Sequence, residues 1–410
     1  MQRRLLELAL GCALALLSTA CPEPPKAEAH LVPDSPPRRL TEYPLLAPSG
    51  PHPVGKLATS VVDASRGGLF SKDPLDRREL SLYVWYPTEP ERLAGPARYV
   101  SPLMAQEAGL PVELASLVRT NATATPPLSS SWESWPVVIF LPGFGVNVEF
   151  YASLLEELAS HGYVVVGIDP TFIAGVTEFP DGRAIYQDED LRVGAGLERT
   201  PLNHGRGLAA GVMGSALMET YAGVMADDAS FVLDVLAEWN EDGGPAWTFA
   251  GRLELSWPGV LGHSMGGAAA LRALGSDPRF RAGIDLDGGL HGESELLLGD
   301  PLMILGGTYL SEGSPALAHT FARVGGPGYW LALEGAGHFS FTDAGLLLEH
   351  FYGEDVARRG PFLGPIGPAR ATRISRDYIL AFFEQYLRGK PSPLLEGPSS
   401  DHPEVRFHKR

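Results

Sequence analysis

The sequence predicts an α/β fold with a mostly parallel central sheet and helices on both faces. Three observations carry this expectation. First, Val137-Val138-Ile139-Phe140-Leu141 and Tyr163-Val164-Val165-Val166-Gly167-Ile168 are continuous apolar runs, the character of strands buried on both faces. Second, apolar stripes at helical spacing stand between such runs, as at Phe150, Leu154, Leu155 and Leu158, and alternating strands and helices build parallel sheets. Third, Gly262-His263-Ser264-Met265-Gly266-Gly267 lies between the apolar run Trp257–Leu261 and the helix-like Ala268–Leu274. That is the strand–turn–helix setting of a G-x-S-x-G nucleophile elbow, which makes the expected scaffold an α/β-hydrolase fold.

The chain begins with a targeting pattern. Met1-Gln2-Arg3-Arg4 is basic, Leu5 to Leu17 is apolar apart from Glu7, and Ser18-Thr19-Ala20 precedes Cys21. Residues 1–20 are therefore expected to be a signal peptide, too short for a transmembrane helix. The small residues before Cys21 suggest a lipoprotein signal, with Cys21 as the lipidated first residue, although Ser18 stands where an aliphatic residue is usual. A simply cleaved signal is the alternative. Either implies export, and lipidation would add membrane association. Cys12 would be lost with the signal, leaving at most one cysteine and no internal disulfide.

Residues 21–53 are rich in proline and read as an extended tether. The catalytic domain is expected over 54–390. Leu57–Val62 and Leu80–Tyr86 read as strands, and 87–135 as an insertion with a helix signal near 103–118. A helix at about 149–161 follows the first buried strand. Residues 171–215 lack periodicity, so a second insertion is placed at 171–225, before a helix at about 226–240. Phe280–Leu286, Leu302–Leu305 and Tyr329–Leu333 supply further strands, and Ser375–Leu387 a closing helix. The last stretch, 391–410, reads as a polar tail. No repeat is visible, and one catalytic domain is expected.

A net charge of −17 excludes a nucleic-acid binder, because nothing would neutralise phosphates. No histidine or cysteine cluster has metal-ligand spacing, so neither metal nor cofactor is expected.

A neutral serine needs a base within hydrogen-bond reach, and the base needs an orienting acid. On this scaffold the order is serine, acid, histidine. Ser264 is the candidate nucleophile. His338, in Glu334-Gly335-Ala336-Gly337-His338 directly after a strand, is the candidate base; His291 and His350 are its competitors. Asp287 is favoured as the acid because it ends the strand after the elbow helix. Asp285 lies inside that strand and reads as structural, and Glu312 is the carboxylate available one strand later. The oxyanion of a tetrahedral intermediate needs aimed N–H donors. The candidates are the backbone N–H groups of Met265, next to the nucleophile, and Phe144, in the Gly143-Phe144-Gly145 loop.

Gly262–Gly267 together with Ser276–Asp287 resembles the plasma and type II platelet-activating factor acetylhydrolases. In that family the acid stands 23 residues beyond the serine, as 287 − 264 gives here. The Gly335–Asp343 segment is similar to the family's histidine motif, and Leu141–Gly145 keeps its glycine pair with Pro142 in place of histidine. The resemblance implies a secreted, calcium-independent serine esterase acting on short acyl groups of phospholipids. The alternatives are a general carboxylesterase or a cutinase-like polyesterase, and, from another class, a non-catalytic binding protein on a hydrolase scaffold. The bulk of Phe144 and Met265 is expected to narrow the acyl side of the site.

Overall fold

Ten strands form one sheet in a computed structural model of the chain, which describes residues 42–68, 71, 73–89, 95–187, 207–245, 248–289, 299–307, 315–353 and 363–410. They are β1 (Val54–Gly67), β2 (Arg77–Pro87), β3 (Ala122–Ala124), β4 (Trp135–Leu141), β5 (Val164–Pro170), β6 (Leu253–His263), β7 (Ala282–Leu286), β8 (Leu302–Gly307), β9 (Gly328–Leu333) and β10 (Val405–Lys409). Their spatial order is β10-β9-β8-β7-β6-β4-β5-β2-β1-β3. Neighbours from β5 to β9 are all parallel, whereas β2 runs antiparallel to β5 and β10 antiparallel to β9.

Alternation along the central strands explains why helices are needed on both faces. In β4 every residue is buried. Val138 and Phe140 join one apolar cluster, and Val137, Ile139 and Leu141 join the other. Among the described residues the α-helices are α1 (Pro102–Glu107), α2 (Val112–Ala115), α3 (Ala152–Ser160), α4 (Gly207–Asp242), α5 (Met265–Ser276), α6 (Pro315–Arg323), α7 (Ala344–Tyr352) and α8 (Pro368–Arg388). Residues of α3 and α8 fill the first cluster; α4 and α5 fill the second. Helix α8 shows how sequence dictates such an element. Pro368 occupies its first turn, where a missing N–H costs nothing, and Gly389 ends it in the left-handed conformation at φ 65°. Ile374, Tyr378 and Phe382, spaced by four, face the core and are fully buried. Burial of Ile374 and Phe382 contributes about 1.5–3 kcal/mol each.

The structure redraws several expected boundaries. The signal residues 1–20, Cys21 and the tether up to residue 41 lie outside the described residues. The rest of the expected tether is packed: Tyr43–Pro44 pairs in parallel with Val118–Arg119, and Leu45 is buried. Proline-rich composition hid these apolar anchors. The segment read as an insertion at 87–135 is part of the body, since β3 extends the sheet and Tyr99, Met104 and Leu114 are buried. The expected polar tail forms β10 with Val405 buried, and Leu395 lies in the core before it. Only Val405 and Phe407 alternate there between polar residues, too few to signal a strand. Helix α4 starts at Gly207 rather than near 226; Gly207, Gly211 and Gly214 obscure its periodicity. Residues 188–206 of the second expected insertion lie outside the described residues.

Candidate active site

Ser264 stands between β6 and α5 with φ 56° and ψ −121°. That conformation is rare for a residue with a Cβ and costs on the order of 1–3 kcal/mol. The neighbouring glycines are required by space. A Cβ on Gly262 would lie 2.0 Å from the Gly266 carbonyl oxygen, and one on Gly266 would lie 2.1 Å from that of Leu141. The turn is pinned by the Ser264 N–H, which donates to the Leu286 carbonyl at 2.9 Å.

The structure brings Ser264, His338 and Asp287 together. His338 opens a short 3₁₀ turn after β9. Its Nε2 lies 3.0 Å from Ser264 Oγ, and its Nδ1 lies 2.6 Å from Asp287 Oδ2. A carboxylate only accepts, so Nδ1 carries the proton and Nε2 is free to accept from the serine hydroxyl. Asp287 sits at the tip of β7 with φ 48°. Its N–H donates to Leu305, and its Oδ1 accepts from the Gly307 N–H at 2.7 Å. Such an arrangement can move a proton from serine to histidine and hold the imidazole in one orientation.

Asp285 plays another part. It is fully buried, and its Oδ1 accepts from the Gly288 N–H at 2.9 Å. Burial, with a smaller contribution from the Asp287 charge, pushes its carboxyl up to about 8. It therefore holds its proton at neutral pH. His350 lies on α7 with its ring stacked on Tyr43, centroids 3.9 Å apart. His291 and Glu312 lie outside the described residues.

The Pro142–Gly145 loop passes beside the nucleophile: a Cβ on Gly143 would be 3.4 Å from Ser264 Cβ. Its N–H groups can be accounted for in turn. Gly143 donates to Tyr151 Oη at 3.0 Å, and Gly145 donates to the Ile173 carbonyl at 3.0 Å. Phe144 N–H donates to no acceptor among the described residues. Met265 opens α5, and a first-turn N–H has no partner inside its helix. Among the described residues, both N–H groups named from the sequence therefore lack an acceptor. Phe144 stacks on Tyr221 at 5.4 Å, and Phe144 and Met265 are 4% and 1% exposed. Both belong to the apolar cluster that α4 helps to fill.

Tyr151 and His263 were not singled out by sequence reasoning. Both are buried beneath the site, and Tyr151 Oη lies 2.9 Å from His263 Nδ1. His263 occupies a position where the elbow pattern accepts any residue.

A family model described as platelet-activating factor acetylhydrolase, isoform II, matches residues 42–171 and 245–391. A probable 1-alkyl-2-acetylglycerophosphocholine esterase from Arthroderma benhamiae is 27% identical over 297 residues, 66% of each chain. The platelet-activating factor acetylhydrolase of Cavia porcellus is 25% identical over 285 residues, 66% of this chain and 61% of that one. The chain thus spans slightly under two thirds of the length of these two relatives. A solved ferulic acid esterase from Streptomyces cinnamoneus is 32% identical, with a TM-score of 0.72, covering 89% of this chain and 99% of that one. With the family model matching more than half of its length, the chain belongs to the platelet-activating factor acetylhydrolase isoform II family, on the α/β-hydrolase fold.

Proposed function

We propose that this chain is a serine carboxylesterase of general kind that works through an acyl-enzyme. The observation that carries the reading is the continuous contact from Ser264 Oγ to His338 Nε2 at 3.0 Å and from His338 Nδ1 to Asp287 at 2.6 Å. Ser264 Oγ attacks the ester carbonyl while its proton passes to His338 Nε2. The oxyanion is held by the N–H groups of Met265 and Phe144. As the tetrahedral species collapses, His338 gives the proton to the leaving alcohol and the acyl group stays on Ser264. A water molecule then repeats the sequence, with His338 taking its proton, and the carboxylic acid departs. Removing the nucleophile should lower kcat by about 10⁶ while the fold is kept. Ser264→Ala with near-wild-type turnover in a clean preparation would reject the reading.

A second reading, hydrolysis of short acyl esters of phospholipids, is favoured by the family match over 42–171 and 245–391. The ferulic acid esterase match spans 89% of the chain, which is why the broader carboxylesterase comes first. We also infer export with Cys21 as the lipidated residue, on the pattern of residues 1–21 alone. Mass spectrometry of the mature N-terminus tests this; an unmodified Cys21 means simple secretion.

A further inference from the structure

A hydrogen-bond chain runs under Ser264 and joins three parts of the site. The Gly143 N–H donates to Tyr151 Oη at 3.0 Å, Tyr151 Oη lies 2.9 Å from His263 Nδ1, and His263 Nε2 lies 3.0 Å from the His338 carbonyl oxygen. The carbonyl can only accept, so Nε2 of His263 carries the proton. Nδ1 then accepts from the Tyr151 hydroxyl, and the tyrosine oxygen accepts from Gly143. Every donor has one acceptor, and only one direction is consistent. The first link belongs to the oxyanion loop, the middle link is covalently next to Ser264, and the last is the backbone of the base itself.

We infer that Tyr151 and His263 are positioning residues, which set the oxyanion loop and the His338 backbone in register across Ser264. This rests on the esterase reading above. Burial supports it: both side chains are 1% exposed, the His263 ring lies 4.6 Å from the His338 ring, and the Tyr151 ring packs 4.7 Å from Phe140. Burial first, and the neighbouring His338 second, hold His263 well below its ordinary value. The imidazole is therefore neutral at neutral pH and keeps the single tautomer the chain needs. A chain of this kind couples two alignments that must be correct at once, and misplacement of about 1 Å at a reacting centre can cost about 10²-fold.

The test uses the full chain and four variants: Tyr151→Phe, His263→Gln, His263→Asn and Ser264→Ala. Tyr151→Phe keeps the ring that packs on Phe140, so its fold should persist. With p-nitrophenyl acetate, kcat for Tyr151→Phe should fall about 10- to 100-fold with KM within about threefold. Labelling of Ser264 by diethyl p-nitrophenyl phosphate should slow in proportion. His263→Gln retains a donor that can reach the His338 carbonyl, whereas the shorter Asn does not. The Gln variant should therefore recover about tenfold over Asn at equal melting temperature. Wild-type kcat in Tyr151→Phe and His263→Asn overturns the inference. So does a loss that follows melting temperature across the set, with Gln no better than Asn, since that marks a purely structural role. If Ser264→Ala keeps its activity and its label, the esterase reading beneath the inference fails instead, and that result is distinct from the first two.

Discussion

Asp287 Oδ2 meets His338 Nδ1 at 2.6 Å from a backbone held at φ 48°, in the left-handed region where aspartate is uncommon. Ser264 is held at φ 56° at the end of the adjacent strand. Both strained residues are secured by the next strand in the sheet: the Ser264 N–H donates to Leu286, and the Asp287 N–H donates to Leu305. The parallel ladder therefore aims both side chains at the carboxyl edge, and His338 closes the gap between them. Strain of this kind persists only where the surroundings over-determine it.

Asp287→Asn should preserve the fold, because an amide oxygen can still accept from the Gly307 N–H. The amide nitrogen would face His338 Nδ1 and enforce the wrong tautomer. A loss of about 10⁴ in kcat is expected. Glu312→Gln should cost little. Steady-state kinetics on both variants decide the matter, and a larger loss in Glu312→Gln would move the acid one strand later.

Gly262→Ala should damage the site through geometry alone. The new Cβ would stand 2.0 Å from a backbone oxygen, that of Gly266, which cannot swing aside like a flexible side chain. Overpacking of this sort costs about 1–3 kcal/mol, and relief must shift Gly266 and the Met265 N–H beside it. Thermal melting should fall, and kcat should fall more than the loss of folded protein explains. An unchanged melting temperature with full activity would contradict the crowding at this turn.

How much of this was legible in the sequence follows from which residues carry local signals. Ser264 and Asp287 directly follow strands and His338 follows one after a short glycine-bearing loop, so spacing and chain order pointed to them. The two candidate oxyanion N–H groups were named from the elbow and from Gly143-Phe144-Gly145. What spacing could not reveal was direction. Nothing in the sequence shows that Phe144 turns onto Tyr221, since a stacking partner 77 residues away, 221 − 144, leaves no local mark. The link from Tyr151 through His263 to His338 is likewise a contact between distant segments. At the edges of the fold, β10 and the Tyr43–Pro44 pairing were hidden because two or three apolar residues suffice there when the rest of the strand faces solvent.

Asp285 offers a prediction about stability and pH. Its folded-state value is raised from 3.8 to about 8, chiefly by burial. A raised value means the folded state binds the proton more tightly. The stabilisation is fully present below pH 3.8 and is lost as pH rises through about 8. Asp285→Asn keeps an acceptor for the Gly288 N–H and removes the titration. Relative to wild type, the variant should gain at least about 1 kcal/mol between pH 5 and pH 8. Denaturant unfolding of both proteins at several pH values measures this. The comparison must be a difference, because Asp343, pushed up to about 7 by burial, titrates over the same range. A constant difference would mean that Asp285 stays ionised when folded.

The acyl group decides between the two functional readings. Phe144 stacks on Tyr221, and both Phe144 and Met265 belong to the apolar cluster that α4 helps to fill, so we expect the acyl side to be left open beside the candidate oxyanion donors. A pocket without that restriction should accept acetyl and butyryl groups and also a planar aromatic acyl such as ferulate. One methylene in an apolar pocket changes binding by about 1–3 kcal/mol, so preference along an aliphatic series should be graded until the pocket ends. We expect kcat/KM on p-nitrophenyl esters to be greatest between C2 and C8 and to decline towards C16, with methyl ferulate hydrolysed within about 100-fold of the best aliphatic ester. The series should be measured below micellar concentrations beside 1-alkyl-2-acetylglycerophosphocholine. Turnover confined to the acetylated phospholipid would replace the general carboxylesterase with the narrower phospholipid reading. A profile rising towards C16 would point to a long acyl groove and reject both.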